Sequence, residues 1–243
     1  MKHWAIADIH GCYNTLRQLL EEILEIDKTD YLYLLGDIVD RGCQVKKTLD
    51  YIISLQEKGF NIMPIKGNHE YFLLNAYYLE KTQQVSKYRF GKCKEKRYIK
   101  NWLQTGGANT LKSFEVDNAG QIPEFYINWI EKLPLYYETD KVILTHAGLN
   151  YKEANPFDDH KSMLFGENNY FDNNNLHQKI VVHGHNITSL EAINEMLKNI
   201  DKHRFLCIDN GCVFINNNNN YGHLIALDLE NMTIQTQLNI DYY

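Results

Sequence analysis

Short apolar runs alternate with longer stretches in which apolar residues recur every three or four positions. His3–Ala7, Tyr31–Leu35 and Phe60–Ile65 read as strands, the second apolar on both faces, as a sheet covered on both sides requires. Between the first two, Leu16, Leu19, Leu20, Ile23 and Leu24 recur at helical spacing, with Asn14 placed to cap the helix. A second helix is predicted from about Gln44 to Lys58, with Gly59 at its C′ position, and a third from about Glu70 to Leu79.

From about residue 80 to 120 the pattern loosens. Residues 81–100 carry eight Lys/Arg and one acid, Glu95, and short helical pieces follow near Tyr98–Gln104 and Ala108–Phe114, split by Gly106-Gly107. The segment reads as an insertion or lid. Ile122–Leu133 is helical up to Pro134. Beyond it come strands at Leu135–Glu138, Val142–Thr145, Ile180–Val182, Arg204–Ile208, His223–Leu229 and Thr233–Asn239, with one helix at about Leu190–Ile200. A βαβαβ half followed by a more antiparallel half predicts α/β architecture: one domain over residues 1–243, two sheets with helices outside, and a basic, helical insertion at about 81–120. The Asn runs at 173–175 and 216–220 read as exposed turns.

Composition narrows the classes. Hydrophobic content of 44% and charged content of 23% are globular values, and they exclude a disordered or fibrous chain. No apolar run approaches the roughly 20 residues that span a bilayer, and the N-terminus has no signal-like apolar core. The expectation is a soluble cytoplasmic protein with no membrane partner. A net charge of −6 disfavours nucleic acid as a partner. The five cysteines show no CxxC and no zinc spacing, so each reads as a small buried hydrophobe.

The chemistry gathers at strand ends. Asp8 and His10 follow the first strand, Asp37 and Asp40 the second, and Asn68, His69 and Glu70 the third; His146 and His185 follow two later ones. In α/β sheets that edge is where ligands bind. Asp8, His10, Asp37, Asn68, His146 and His185 offer three imidazoles, two carboxylates and one amide oxygen. That is too many for one tetrahedral zinc, and it suits two divalent ions sharing a carboxylate. Glycines flank the candidates, where the backbone must turn sharply. His183, two residues before His185, reads either as a supporting partner or as a packed strand residue; Glu70 reads as a support for its turn.

ADIHGCY at 7–13, GDIVDRG at 36–42, GNHE at 67–70, THAGL at 145–149 and VVHGHN at 181–186 together resemble the phosphoprotein phosphatase branch of the calcineurin-like metallophosphoesterases. With WLQTGGANTLKSF at 102–114, LPLYYETDK at 133–141 and IDNGCV at 208–213, the chain is similar to small bacterial serine/threonine phosphatases of the phage-lambda type. The resemblance implies an α/β/β/α sandwich with a helical insertion. It implies that Asp8 and His10 bind a first metal, Asp37 bridges, and Asn68, His146 and His185 bind a second, with Mn²⁺ expected and Fe or Zn as alternatives. His69 would be the general acid, oriented by Asp40, and Arg41 with Asn68 would hold phosphate. The activity implied is hydrolysis of phosphoserine and phosphothreonine, with phosphotyrosine a further substrate, by hydroxide held between the metals. Two alternatives share the motifs: a symmetrical diadenosine tetraphosphate hydrolase, and a metal-binding scaffold without turnover.

One departure stands out. The family usually carries a further phosphate-binding arginine after the HAGL strand, but the corresponding MLFGENNYF at 163–171 has none. The basic 81–100 segment is the expected substitute, through Arg89, Arg97 or a lysine.

Overall fold

The computed structural model describes residues 1–85, 93–167, 179–214 and 220–241. β1 (His3–Ile6), α1 (Tyr13–Gln18), β2 (Tyr31–Leu34), α2 (Val45–Glu57) and β3 (Asn61–Pro64) make a parallel unit, with a π-helical turn at Leu19–Ile23 after α1. Four helices follow: α3 (Asn68–Val85), α4 (Cys93–Trp102), α5 (Ala108–Phe114) and α6 (Glu124–Glu131). The second half adds β4 (Tyr136–Glu138), β5 (Val142–Thr145), α7 (His160–Phe165), β6 (Ile180–His183), α8 (Leu190–Lys198), α9 (Ile200–His203), β7 (Phe205–Cys207), β8 (His223–Asp228) and β9 (Thr233–Leu238). Two sheets result, in the orders β3-β2-β1-β8-β9 and β4-β5-β6-β7. The Asn run at 173–175 and Arg89 lie outside the described residues, as does most of the run at 216–220.

The alternation of side chains along β1 and β2 explains the layering. Trp4 and Ile6 of β1, with Leu32 and Leu34 of β2, join the core beneath α1, α2 and α3. Their neighbours Ala5, Ala7, Tyr33 and Leu35 turn the other way, against Leu144 of β5, Val182 of β6 and Leu206 of β7. A strand apolar on both faces therefore buries both, as a doubly covered sheet needs. Residues 93–120 enter the same core: Trp102, Phe114 and Ala119 pack with Leu73 and Tyr77 of α3.

Two local expectations change. The third helix begins at Asn68, not Glu70, and runs on to Val85. This puts Asn68 and His69 in its first turn, where backbone N–H groups are free. Asn14 does not cap α1; it lies inside the helix. The cap comes from 226 residues away: Asp241 accepts the N–H groups of Asn14 (2.8 Å) and Thr15 (2.8 Å) and the Thr15 hydroxyl (2.6 Å). Among the cysteines, Cys12, Cys207 and Cys212 are buried, but Cys43 is exposed. Among the described residues no helix is long and apolar enough to cross a membrane.

Asp241 thus satisfies the free N–H groups of a helix that follows directly on the loop carrying Asp8 and His10. Asp241→Ala is expected to cost about 1–2 kcal/mol, read as a lower midpoint in urea at unchanged slope. An unchanged midpoint would show that water replaces this cap at no cost.

Candidate active site

The parallel strands β1, β2 and β3 and the parallel strands β5, β6 and β7 deliver their C-terminal loops to one place. Asp37 sits at its centre. Its Oδ2 lies 3.5 Å from His10 Nε2, and its Oδ1 lies 3.4 Å from His146 Nε2. Asn68 Oδ1 stands 2.8 Å from His146 Nε2 and 3.0 Å from His185 Nδ1. Asp8 is close by, but its Oδ2 accepts the His185 N–H at 3.0 Å. Five of the six predicted donors are thereby gathered, and Asp8 borders them through the His185 N–H. Two groups of donors could each hold a cation: His10, Asp37 and His69, and Asp37, His146 and His185.

The tautomers are set by backbone. His10 Nδ1 lies 2.8 Å from Val39 O, and His146 Nδ1 lies 2.8 Å from Leu35 O. A carbonyl oxygen only accepts, so each Nδ1 carries the proton and each Nε2 presents a lone pair to the centre. His146 Nε2 and Asn68 Oδ1 are then two acceptors facing each other at 2.8 Å. Such a contact repels unless a cation is shared. Ligand atoms around one divalent ion, at bonds of about 2.1 Å, stand about 3.0–3.5 Å apart, and the spacings around Asp37 match that edge. The donor set fits a pair of divalent cations.

The electrostatics agree. Burial pushes the Asp8 carboxyl well up, and the neighbouring Asp209 and Asp37 push it further. Burial also raises Asp209 to about 6, against the Gly211 N–H that it accepts. Burial would raise Asp37 as well, but His146, His69 and His10 surround it and hold it low. Burial holds His185 down to about 4 and lowers His146 too, leaving neutral imidazoles able to donate lone pairs. Sequence reasoning missed Asp209. Its signal was available: it is an acid just beyond the C-terminal end of a further parallel strand, β7.

A second cluster lies beside the first. His69 Nδ1 is 2.8 Å from Asp40 Oδ2. The same oxygen accepts the Trp102 Nε1–H at 2.9 Å, and Oδ1 accepts the Thr110 hydroxyl at 2.6 Å. Burial works against charge on His69, yet Asp37 and the hydrogen-bonded Asp40 outweigh it and raise the imidazole above its ordinary value. Trp102 and Thr110 lie in the WLQTGGANTLKSF stretch that shares in the resemblance, but nothing there pairs them with Asp40, to which only the packing of α4 and α5 brings them.

Glycines permit the crowding. A Cβ on Gly184 would stand 1.9 Å from Asp8 Oδ2, and Gly106, at φ +127°, lets its carbonyl accept the Arg41 N–H at 3.1 Å. Arg41 is half-buried, with Nη1 2.9 Å from His10 Nε2 and its guanidinium 5.2 Å from the Phe214 ring centre. That Nε2 lone pair can serve the arginine or a cation, not both. His183 is buried, its Nε2 has no hydrogen-bond partner among the described residues, and burial lowers it to about 3, so it is a neutral packed strand residue. Glu70 is a support: its carboxylate accepts the N–H groups of Asp37, Ile38, Val39 and Gly67 at 2.8–3.0 Å. Arg97 is exposed on α4.

Residues 1–189 match the family described as calcineurin-like phosphoesterase. The chain belongs to that family. Membership implies a pair of divalent cations at the Asp37 centre, where the donors fit them. Solved structures of the same fold include a serine/threonine phosphatase from Saccharomyces cerevisiae similar to human PP5 (TM-score 0.66, 13% identity, 100% of this chain and 81% of that one). Another is a candidate diadenosine tetraphosphatase (TM-score 0.59, 18% identity, 97% and 92%). At such identities the likeness concerns the fold alone. Curated relatives are nearer in sequence. The symmetrical bis(5'-nucleosyl)-tetraphosphatase of Buchnera aphidicola subsp. Baizongia pistaciae is 31% identical over 151 residues, 61% of this chain and 44% of that protein. Its namesake in Erwinia tasmaniensis is 30% identical over 151 residues, 61% and 45%. The chain spans about half the length of these curated relatives. They overturn the protein serine/threonine phosphatase reading of the sequence. The physical reason is that the quoted motifs supply donors suited to cations and phosphate, and such donors do not register what a phosphate is attached to.

Two outcomes follow from this geometry. Protons compete with cations for Asp8, which burial and the neighbouring Asp209 and Asp37 push well up, and Asp209 beside it is itself raised to about 6. In the cation-free fold the stability tied to each raised carboxyl is present at low pH and lost as pH rises through its folded value. Mn²⁺ is therefore expected to raise the melting temperature at pH 8 by about 5–10 °C, with a much smaller shift at pH 5. Equal shifts at both pH values would rule out these carboxylates as the competing groups. Trp102→Phe keeps the ring and removes the N–H on Asp40; kcat is expected to fall about tenfold with KM little changed, and steady-state kinetics at constant metal would check it.

Proposed function

We propose that this chain cleaves dinucleoside tetraphosphates symmetrically, releasing two nucleoside diphosphates, with Mn²⁺ as the cation pair. The observation that carries the reading is the 30–31% identity to symmetrical bis(5'-nucleosyl)-tetraphosphatases over about 150 residues. The site supports it by what it can do chemically. In this proposal Asp8, His10 and Asp37 hold one cation, and Asp37, Asn68, His146 and His185 hold the other. Nitrogen and oxygen donors of this mixture suit Mn²⁺, Fe or Zn, and cellular supply decides among them. When bound, such a pair acidifies a water and neutralises phosphate charge.

The remaining steps belong to the chain's own residues. Arg41 and the Asn68 amide hold phosphate oxygens; the guanidinium swings from His10 Nε2, whose lone pair is then taken up. His69, held by Asp40 through Nδ1, delivers a proton to the departing oxygen through Nε2. Trp102 and Thr110 occupy the rest of the Asp40 carboxylate, so that it does not rotate away from the imidazole. A departing nucleoside diphosphate needs less help than an alkoxide, because its terminal phosphate ionises with a pKa of about 6. This makes His69 more valuable for ester substrates than for polyphosphates.

The test is turnover of diadenosine tetraphosphate by metal-stripped protein reloaded with Mn²⁺, with products separated by anion exchange and Asp37→Asn as the blank. ADP alone is the expected product. ATP with AMP would refute symmetrical cleavage, and no metal-dependent turnover would refute the activity. His69→Asn is expected to lower kcat about 10²-fold on the dinucleotide, and more on an alkyl phosphate.

A further inference from the structure

Beside His69, rings continue in a row. Phe72 of α3 lies 5.8 Å from the His69 ring, Tyr98 of α4 lies 6.3 Å beyond Phe72, and Phe165 of α7 packs on Phe72 at 5.6 Å. Phe72, Tyr98 and Phe165 are all half-buried, neither core nor free surface. Phe72 and Tyr98, with Asn101, Trp102 and Thr105, line a cleft of about 170 Å³. The cleft has room for one planar heterocycle. Its walls are rigid, because the Trp102 N–H is fixed on Asp40 and the Tyr98 hydroxyl donates to Phe72 O at 3.4 Å.

The chemistry around the cleft is mixed in a particular way. On α4, positions 94, 97, 98 and 101 share a face. That face joins Lys94 and Arg97, both exposed, to Tyr98 and to Asn101, whose amide is exposed at the rim. Cations, aromatic faces and an amide placed side by side match a phosphorylated nucleoside: charge for the phosphates, rings for the base, and a donor–acceptor pair for its edge. The 163–171 stretch, which lacks the arginine usual in the family, contributes Phe165 to this row.

We propose that the cleft lined by Phe72, Tyr98 and Trp102 is the subsite that stacks the base of the departing nucleoside diphosphate. This inference rests on the dinucleotide reading above and adds where the base is held. The direction is consistent. His69 serves the departing oxygen, and a diphosphate and a sugar separate that oxygen from the base. The row of rings leads away from His69 past Phe72 and opens at Tyr98. Stacking is tolerant of base identity, so the subsite accepts either purine, with Asn101 tuning the choice.

Calorimetric titration of the Mn²⁺-loaded protein with ADP and with methyl diphosphate tests this, since the second probe keeps the charge and lacks the nucleoside. ADP is expected to bind about tenfold or more tightly. Tyr98→Leu and Phe72→Leu should remove that advantage while leaving methyl diphosphate affinity unchanged, which also reports an intact fold. Asn101→Ala, at an exposed position, should weaken ADP by a few-fold. Equal affinity of the two probes for the wild-type protein would overturn the proposal, as would an ADP advantage that survives both ring variants. A parallel loss of both probes in the ring variants would mark the row as structural and also overturn it. The readout is binding alone, so an ADP advantage with no splitting of diadenosine tetraphosphate would sink the proposed activity and leave the subsite standing.

Discussion

The site depends on one fully buried carboxylate. Glu70 accepts the backbone N–H groups of three successive residues, Asp37, Ile38 and Val39, and that of Gly67. In doing so it welds the loop after β2 to the loop after β3. Burial and the nearby Asp37 raise its value to about 7, so the position is electrostatically costly. The four N–H groups offset that cost, since each would otherwise be buried without a partner. His69 N–H on Asp37 Oδ1 at 3.0 Å then ties the start of α3 to the same loop. Asp37 is held in place from both sides, and everything around it is measured from that point.

The backbone shows what this assembly demands. Of ten residues other than glycine with positive φ among those described, six belong to the site: Asp8, His10, Asp37, Asp40, Arg41 and His185. Each left-handed residue costs on the order of 1 kcal/mol, and the concentration at one spot marks strain stored for function. The loops also brace each other directly, His10 N–H on Asp37 O at 2.8 Å and Gly184 N–H on His146 O at 2.8 Å. A site built this way is stiff before any ligand arrives. That stiffness lets lone pairs face each other around Asp37.

The fold and the donor set were legible because both follow from local rules. Doubly apolar strands announce a covered parallel sheet, and Asp8, His10, Asp37, Asn68, His146 and His185 each stand just past a strand end. What was not legible depends on distant packing. Asp241 meets α1 across almost the full length of the chain, and Trp102 and Thr110 reach Asp40 only once α4 and α5 have docked. Asp209 obeys the strand-end rule but stands apart from the histidine-bearing loops, so a lone acid after a short strand carries little signal by itself. Cys43, exposed, shows the limit of reading every cysteine as core. The misjudged substrate has the same origin: donors suited to phosphate and cation are common to many phosphoesters and do not tell one from another.

The position of β1 has a consequence for how such a protein comes into being. Its Trp4 pairs on one side with Leu32, and on the other with Asp228. The central strand of the larger sheet thus has one neighbour close in sequence and one more than two hundred residues away. Closing so long a loop is entropically expensive and kinetically late. Until β8 arrives, β1 has an open hydrogen-bonding edge, and the Asp8–His10 loop that follows it lacks half its footing. Assembly of the Asp37 centre is therefore coupled to completion of the long-range sheet, and a partly folded chain would hold its candidate donors in sequence without holding them in space.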